Sequence, residues 1–441
     1  TFGCQMNEYD SNRILDLVIP MGYVATTNVS DADCYILNTC HIREKATDKV
    51  YHDIGRLKKK FINKKKPMVL VTGCVAQAEN EEMLNREKYI DGVIGPQSYH
   101  QIPDIIKELE NNKKKVNNTE FEVIEKFDSL NLVKNTNSKV SSFLTIQEGC
   151  DKFCHFCVVP YTRGPEHSRS LDEIIIEAKQ LIDNGSKEIT LLGQNVNAYE
   201  YKNGDGITYR LADLITKLNE FKDLKRIRYT TSHPNDVTKD LIAVHKFCKK
   251  LMPILHLPVQ SGSSKILNAM NRKHNILEYH KIISDLRMAR PNIKFSSDFI
   301  IGYPGETEDD FNQTLSLIEK VQFINSYSFV YSSRPGTPAS KLDNVDQDLA
   351  KKRLIKLQAV LEKNNTKYKE GFLNKSTEVL FENKLDKQNK YFGRDKFLNS
   401  VIVQSSKDLT GQIIDIKIDA FNHNSLFGTI LSNENFFLQL N

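Results

Sequence analysis

The chain has 441 residues, of which 39% are hydrophobic and 27% are charged, a balance typical of a folded globular protein rather than a disordered one. This length exceeds one ordinary hydrophobic core, so we expect two or three domains. No apolar run approaches the ~20 residues that a membrane-spanning helix requires, so we expect no membrane partner. The net charge of +5 is compatible with nucleic-acid binding but does not by itself indicate it. Eight cysteines at clustered spacings indicate metal ligands in a reducing cytoplasm rather than a disulfide scaffold.

Residues 1–112 carry three cysteines that each precede a helix-like segment. Cys40 and Cys74 end apolar runs of strand character, and Cys4 stands before a segment with helical spacing. Repeated strand–cysteine–helix units predict an open parallel sheet, in which ligands bind at the carboxyl ends of the strands. We therefore expect the thiols of Cys4, Cys40 and Cys74 to converge and to hold an iron–sulfur cluster with one open iron. Taken singly, each is better interpreted as a buried apolar residue, and we assign Cys34 to the core.

Residues 113–138 are rich in Asn and Lys and show weak periodicity, so we expect a linker there. Runs of lysine in the first third of the chain either contact RNA phosphates or form a solvated face, and the solvated face is the commoner case. These runs are 58–60, 64–66 and 113–115.

Residues 139–370 alternate six short apolar, β-branched runs with segments of helix length. The runs lie near 144, 190–192, 227–229, 254–256, 299–301 and 329–331. This alternation predicts a partial (β/α)6 barrel with parallel strands. Function in such barrels collects at the carboxyl ends of the strands, so the polar residues that follow the runs are candidate ligands.

Three cysteines at the spacing C-x3-C-x2-C follow the first of these runs: Cys150, Cys154 and Cys157. Three thiolates on one short loop can hold three corners of a cubane iron–sulfur cluster, which normally takes four cysteine ligands. The fourth iron is then open to a substrate or cofactor. A zinc site is the alternative, but such sites favour C-x2-C pairs with a second Cys or His pair downstream, and the sequence nearby supplies none.

The stretch from Gln147 through this loop to Gly164 resembles the radical S-adenosylmethionine superfamily, and within it the tRNA methylthiotransferases. Gly3–Asn7, Asn38–Cys40 with Ile42–Ala46, and Gly73–Ala76 resemble the N-terminal cluster-binding domain of that family. The resemblance implies two 4Fe–4S clusters and S-adenosyl-L-methionine as cofactors. Cys150, Cys154 and Cys157 are then the catalytic set, whose open iron is chelated by S-adenosylmethionine. Cys4, Cys40 and Cys74 hold the auxiliary cluster.

Seven further residues are candidates for binding S-adenosylmethionine. Gln194, Asn195, His233 and Gln260 follow predicted strands and can hydrogen-bond its ribose and amino-acid groups. Gly302 and Gly305 permit close backbone approach to a nucleoside. Arg169, which matches a family motif, can bind a carboxylate in a bidentate manner. The alternative for all seven is ordinary loop, cap or ion-pair chemistry.

Residues 371–441 show short strands with period-2 alternation and predict a small β-barrel. Position and pattern resemble the OB-like TRAM domain, an RNA-binding module, with 425–428 as its last strand. Tyr391, Phe392 and Phe397 are either core or base-stacking residues. The expected fold is thus α/β plus a small all-β domain: an N-terminal open parallel sheet, a partial (β/α)6 radical S-adenosylmethionine barrel and a C-terminal OB-like barrel.

The resemblance implies addition of a methylthio group to carbon 2 of N(6)-isopentenyladenosine at position 37 of tRNA. A sister activity, on threonylcarbamoyladenosine of tRNA or on a ribosomal-protein aspartate, is the alternative, and Pro165, His167 and Ser333 depart from the usual motifs. A non-enzymatic iron–sulfur RNA-binding or sensor protein is a third possibility, which the strand-end motifs disfavour. Expected partners are the anticodon stem-loop of tRNA, an electron donor such as flavodoxin or ferredoxin, and a sulfur donor. We expect a cytoplasmic monomer.

Overall fold

The structure is a computed structural model that describes residues 1–40, 46–112, 114–121, 123–385 and 389–431. Most of the Ile42–Ala46 motif and Lys113 of the lysine run therefore lie outside the described residues. No helix in the described part of the chain combines the length and the apolar character needed to cross a membrane.

The N-terminal unit is an open sheet of four parallel strands in the order β1-β2-β3-β4, as predicted from the repeated units. The strands are β1 (Cys34–Thr39), β2 (Met68–Gly73), β3 (Gly92–Ile94) and β4 (Val116–Asn118). The helices that pack on it are α1 (Gln5–Val18), α2 (Ala46–Lys60), α3 (Cys74–Arg86), α4 (Ile102–Asn112) and α5 (Val123–Asn131). The residues before α1 form no strand, although the Phe2 amide donates to the Asn38 carbonyl of β1 over 2.9 Å.

The segment 113–138, where we expected a linker, contains β4 and α5. Phe127 and Leu130 of α5 are buried in the core that α1 and α4 form against the sheet. The abundance of Asn and Lys in this segment obscured the apolar spacing that produces these two elements. The domain boundaries 1–112, 139–370 and 371–441 remain predictions.

The central unit is the partial six-stranded parallel barrel that the alternation predicted. Its strands are β5 (Ser141–Thr145), β8 (Glu188–Leu192), β11 (Arg226–Thr230), β12 (Ile254–His256), β13 (Lys294–Ser296) continued by β14 (Asp298–Ile301), and β15 (Tyr327–Val330). Every pair among these strands is parallel. The antiparallel pairs β6 (Gln147–Glu148) with β7 (His167–Ser168), and β9 (Glu200–Lys202) with β10 (Thr208–Arg210), lie in the connections.

The helices of this unit cover the outside of the barrel and bury its apolar strands in one large core. They are α6 (Val159–Arg163), α7 (Leu171–Asp183), α8 (Leu211–Asn219), α9 (Lys239–Phe247), α10 (Ser264–Ala269), α11 (Ile276–Ala289), α12 (Glu308–Val321) and α13 (Gln347–Glu370). The helix α12 begins with a capping box in which Thr307 and Asp310 bond reciprocally.

The C-terminal unit is a closed five-stranded barrel in the order β16-β17-β18-β20-β19, consistent with the expected OB-like domain. Its strands are β16 (Ser376–Leu385), β17 (Lys390–Asp395), β18 (Ser400–Gln404), β19 (Ile413–Phe421) and β20 (Ser425–Ile430). Tyr391 belongs to its buried core. Phe397 is also buried and packs edge-on against Tyr368 of α13.

Candidate functional site

The loop from Cys150 to Cys157 joins β6 to α6 beyond the carboxyl end of β5. Backbone hydrogen bonds hold it in place, from the Cys150 amide to the Gly164 carbonyl over 3.2 Å and from the His155 amide to the Met270 carbonyl over 3.0 Å. Cys154 and Cys157 both act electrostatically on Cys150, so the three thiols face one region. Burial raises the pKa of Cys150 to about 12 and that of Cys157 to about 11, so binding a metal cluster here displaces protons.

Two nitrogen donors reach the sulfur atoms of this loop. The Val159 amide donates to Cys157 Sγ over 3.5 Å, and Arg272 Nη1 donates to Cys154 Sγ over 3.5 Å. Arg272 is buried, and its Nη2 donates to the Pro258 carbonyl over 2.6 Å. This guanidinium therefore connects the strand-end stretch near residue 258 to the cysteine loop and brings a positive charge to it.

Cys4, Cys40 and Cys74 converge at the carboxyl edge of the N-terminal sheet, as predicted. A Cβ atom on Gly3, which has φ +107°, would lie 2.1 Å from Cys40 Cβ, so the backbone at Gly3, the residue before Cys4, passes directly against Cys40. A hydrogen bond with Cys40 lowers the pKa of Cys4, and Cys4 in turn acts electrostatically on Cys74.

Asn7 fixes the first of these cysteines to the sheet. Its Nδ2 donates to the Phe2 carbonyl over 2.9 Å and to the Thr39 carbonyl over 2.8 Å. Its Oδ1 accepts from the Cys4 thiol over 3.6 Å. Asn7 of the Gln5-Met6-Asn7 motif therefore connects the start of α1 to β1 by hydrogen bonds.

A buried network of four charged groups lies beside these cysteines. Arg163 Nη2 donates to Asp10 Oδ2 over 2.9 Å, and Lys126 Nζ donates to Glu148 Oε1 over 2.6 Å. Arg163 Nη1 lies 3.5 Å from Glu148 Oε1, and Lys126 Nζ lies 4.0 Å from Asp10 Oδ1. All four side chains are at most 2% exposed. The network joins α1, α5, β6 and the end of α6, and so packs the N-terminal sheet against the barrel.

Both cysteine sets fit iron–sulfur clusters. In the described part of the chain, Sγ of Cys157 accepts from an amide, Sγ of Cys154 accepts from a guanidinium, and a second guanidinium lies beside Cys74. An anionic cluster requires such surroundings. Nη1 of Arg163 is buried without a hydrogen-bond partner among the described residues, next to the auxiliary cysteines. Within the described ranges, no group of three or more His, Cys, Asp or Glu side chains is placed to hold a single metal ion. A cubane seats each thiolate on a different iron, which separates the thiolates more widely than one ion would.

Gln194 and Asn195 lie beside the cysteine loop. Gln194 Oε1 accepts from the Gly149 amide over 2.6 Å, so this residue fixes the start of the loop. Asn195 Nδ2 donates to Glu166 Oε1 over 3.1 Å and to Asp236 Oδ2 over 2.7 Å. Its Oδ1 is buried and has no hydrogen-bond partner among the described residues.

His233 and Gln260 occupy the ends of the next strands. His233 packs edge-on against His274 at a centroid distance of 5.6 Å, and burial followed by the nearby Arg272 lowers its pKa well below the usual range. Its Nε2 is buried and unpartnered in the described part of the chain. Gln260 has φ +77°; its amide donates to the Asp298 carbonyl and its carbonyl accepts from the Ile300 amide, both over 3.0 Å. His233 thus offers a neutral imidazole nitrogen at the same end of the barrel as the cysteine loop.

Gly302, Gly305 and Arg169 are placed differently from the other candidates. A Cβ atom on Gly302 would lie 2.6 Å from Ala350 Cβ, so the absence of a side chain on this glycine allows α13 to pack closely against it. Gly305 has φ +82° with open space around it. Arg169 is buried in an ion pair with Glu177 at 2.7 Å, and it stacks on Phe127 at 4.8 Å. The structure therefore gives Arg169 a role in packing α7 against the N-terminal unit, and cofactor binding by these three residues stays a prediction.

The roles of Arg272, Arg163 and Lys126 could not be inferred from the sequence. Arg272 contacts a cysteine 118 positions earlier in the chain, and Lys126 lies within the segment predicted as a linker. Arg163 falls inside a matching motif, but spacing alone does not reveal that its side chain faces the N-terminal cysteines.

Comparison with known proteins agrees with this architecture. Residues 1–95 match the model of Uncharacterized protein family UPF0004, and residues 144–318 match that of the Radical SAM superfamily. The structure of the radical S-adenosylmethionine methyltransferase TsrM from Kitasatospora setae covers 75% of this chain and 74% of its own, with a TM-score of 0.53 and 11% identity, which shows a shared fold alone.

Curated relatives match over nearly the whole chain. A protein of Pelagibacter ubique (strain HTCC1062) named tRNA-2-methylthio-N(6)-dimethylallyladenosine synthase is 60% identical, over 98% of this chain and 96% of its own length. Proteins with the same name from Rickettsia canadensis (strain McKiel) and Wolbachia pipientis subsp. Culex pipiens (strain wPip) are 47% and 49% identical, over 98% and 97% of this chain and 98% of their own lengths. The two sets of three cysteines, the barrel and these full-length matches establish that the chain belongs to the tRNA-2-methylthio-N(6)-dimethylallyladenosine synthase family of radical S-adenosylmethionine enzymes.

Proposed function

We propose that this chain adds a methylthio group to carbon 2 of an N(6)-isopentenyl-type adenosine at position 37 of tRNA. The observation that carries the proposal is the convergence of Cys4, Cys40 and Cys74 beside Arg163, the residue that ends the helix following the C-x3-C-x2-C loop. Two three-cysteine sites packed together suit a reaction that needs both a radical and a source of sulfur. The names of the full-length relatives support the same substrate.

The cofactors of the family are S-adenosylmethionine and two 4Fe–4S clusters, one on each cysteine set. When bound, they supply the radical that removes hydrogen from carbon 2, the sulfur atom and the methyl group. A radical is required because the C–H bond on this aromatic ring carries neither an acidic proton nor an electrophilic centre. The adenine has to leave its stack to reach the site, which is easiest in a single-stranded loop.

The side chains of this protein orient and seclude the reactants. Gln194 holds the Gly149 amide, and Arg272 holds Cys154, so the catalytic loop is fixed from two sides. Asn195 Oδ1 and His233 Nε2 are buried polar atoms with no partner among the described residues, and an unpaired buried polar group is costly. We assign both atoms to hydrogen bonds with S-adenosylmethionine.

The C-terminal barrel is assigned as a TRAM domain that contacts the anticodon stem-loop of tRNA. An electron donor such as flavodoxin or ferredoxin and a separate sulfur donor complete the reaction, and we place the enzyme in the cytoplasm as a monomer. These partners follow from the chemistry of the family.

The test compares two triple variants of the reconstituted protein. Changing Cys150, Cys154 and Cys157 to Ala is expected to abolish formation of 5'-deoxyadenosine. Changing Cys4, Cys40 and Cys74 to Ala is expected to leave that formation intact, to lower bound iron from about eight to about four atoms, and to stop methylthiolation of tRNA. Loss of S-adenosylmethionine cleavage in the second variant would overturn this division of roles.

Substrate identity is tested with the same intact enzyme. Transcripts carrying isopentenyladenosine, transcripts carrying threonylcarbamoyladenosine, and the ribosomal-protein aspartate peptide are supplied separately, and methylthio products are measured by mass spectrometry. Product from the first alone supports the proposal. Product from either of the others, with none from the first, assigns the chain to a sister activity.

A further inference from the structure

Arg163 links the catalytic loop to the auxiliary cysteine site. It ends α6, the helix that directly follows the catalytic loop, and only 2% of its side chain is exposed. Its Nη2 is anchored by Asp10 Oδ2 at 2.9 Å and by Asn7 Oδ1 at 3.3 Å. Both anchors belong to α1, whose N-cap residue is Cys4. The guanidinium is thereby held at the auxiliary site by the helix that carries one of its ligands.

The other arm of the guanidinium is left to face the auxiliary cysteines. Nη1 lies 3.5 Å from Glu148 Oε1, but it is buried without a hydrogen-bond partner among the described residues. Burial raises the pKa of Cys74, and the adjacent Arg163 opposes that rise, which places its charge against this thiol. The charge acts in the same sense on Cys4. A buried guanidinium N–H with no acceptor is costly, so a sulfur acceptor at this place completes the arrangement.

The backbone at Arg163 is tied to the catalytic loop. The carbonyl of the next residue, Gly164, accepts from the Cys150 amide over 3.2 Å. The Arg163 carbonyl itself accepts from Gln97 Nε2 of the N-terminal unit over 2.8 Å. Of these two consecutive residues, Gly164 contacts a ligand of the catalytic site, while Arg163 is bonded to the N-terminal unit and its side chain acts on Cys74.

We propose that Arg163 is a positioning and charge-compensating residue of the auxiliary site, donating from Nη1 to sulfur of the cluster that Cys4, Cys40 and Cys74 hold. The inference rests on the proposed function only in assigning a cluster to these cysteines. A cubane with three thiolates is anionic and gains negative charge on reduction. Hydrogen bonds to its sulfurs and a nearby positive charge therefore raise its reduction potential. Since Arg163 has no proton to lose in the working pH range, this effect is permanent.

The measurement is a redox titration followed by electron paramagnetic resonance. It uses the full chain with Cys150, Cys154 and Cys157 changed to Ala, so that only the auxiliary cluster contributes a signal. Arg163→Gln is expected to shift the reduction potential of the auxiliary cluster to more negative values. Arg163→Lys keeps the positive charge but loses the two separate nitrogen donors of the guanidinium, and it is expected to shift the potential less. Arg226→Gln is the matched control, because Arg226 is equally buried but contacts the C-terminal barrel. The reduction potential of the auxiliary cluster in Arg226→Gln is expected to equal that of the parent protein with the three catalytic cysteines changed.

An unchanged potential and spectrum in Arg163→Gln, at full iron content, would overturn the inference. If Arg163→Gln does not fold, Arg163→Lys decides, because the single nitrogen of lysine cannot occupy the positions of both Nη1 and Nη2. An unchanged potential in that variant overturns the inference equally. Failure of the proposed function is a separate result. It would appear as absence of methylthiolated tRNA with the unmodified protein, whatever the potential of the auxiliary cluster.

Discussion

Arg272 donates a hydrogen bond from Nη1 to Sγ of Cys154 over 3.5 Å, across a sequence separation of 118 residues. The same side chain is anchored through Nη2 to the Pro258 carbonyl. Its neighbours His233 and His274 both have pKa values lowered by burial and then by Arg272 itself, so they stay neutral at pH 7. Arg272 is therefore a buried cation that faces the catalytic loop from this side.

Replacing Arg272 is expected to slow cleavage of S-adenosylmethionine. Arg272→Gln removes a hydrogen bond from a charged donor to a cluster ligand, which is worth about 1.5–3 kcal/mol. We expect formation of 5'-deoxyadenosine, with dithionite as reductant, to fall by about 10- to 100-fold per bound cluster. Arg287→Gln is the control, since Arg287 donates to the Val321 carbonyl and stacks on Phe295. Equal rates in the two variants would contradict a role for Arg272 at the cluster.

Gly3 is expected to be indispensable for the auxiliary site alone. In Gly3→Ala the new Cβ would lie 2.1 Å from Cys40 Cβ, a separation that the backbone has to open. Because Cys4 is the next residue, this movement displaces one ligand from the other two. We expect bound iron to fall from about eight to about four atoms, with cleavage of S-adenosylmethionine retained.

The control for this variant is Gly22→Ala. Gly22 also has a left-handed conformation, with φ +90°, but no atom lies within 4 Å of the position its Cβ would take. The Gly22→Ala variant therefore has the backbone strain of an alanine in this conformation, about 1–2 kcal/mol, without a steric clash of the new Cβ atom. Full iron content in both variants would show that the contact between Gly3 and Cys40 does not matter for cluster binding.

The sequence predicted those parts of the structure that follow from strand direction. Cys40 and Cys74 end neighbouring parallel strands, so their convergence follows from the topology, and the cysteine spacing located the catalytic loop. It did not predict Arg163 or Arg272, because long side chains reach their partners across distances in sequence that no local pattern encodes. It also gave no indication that Gly302 leaves room for the close approach of Ala350.

The stability of the protein without clusters is expected to fall in mild acid through His245. This side chain is 1% exposed, and its Nε2 is 2.7 Å from the Tyr229 hydroxyl. Burial lowers its pKa from 6.5 in the unfolded chain to about 3. Because the folded-state pKa is the lower one, the stabilisation is present above pH 6.5 and is lost as the pH falls towards 3.

The expected loss from this one group is about 1.4 kcal/mol between pH 7.5 and 5.5, measured by urea unfolding. In His245→Gln that share of the pH dependence is expected to disappear, although the variant is less stable at pH 7.5. His280→Gln is the control, since His280 lies partly exposed on α11. Identical pH dependence in His245→Gln and the parent protein would contradict the assignment.

The C-terminal barrel is expected to detach when Arg228 is replaced. Arg228 Nη2 donates to the Asp395 carbonyl over 2.9 Å and Nη1 to the Lys396 carbonyl over 3.0 Å, while Nε pairs with Glu188 at 3.0 Å. Arg228→Gln breaks these bonds and leaves the buried Glu188 unpaired, which typically costs about 3–5 kcal/mol. Limited proteolysis is expected to cleave near residue 371 faster than in the parent, and tRNA binding is expected to weaken while cleavage of S-adenosylmethionine persists. Arg13→Gln is the matched control, because Arg13 is equally buried and bonds Asp16 and the Leu130 and Val133 carbonyls within the N-terminal unit. If both variants resist protease as the parent does, Arg228 does not hold the barrel in place, and the position of the barrel depends on its other contacts, such as those with Arg226 and with Tyr368 of α13.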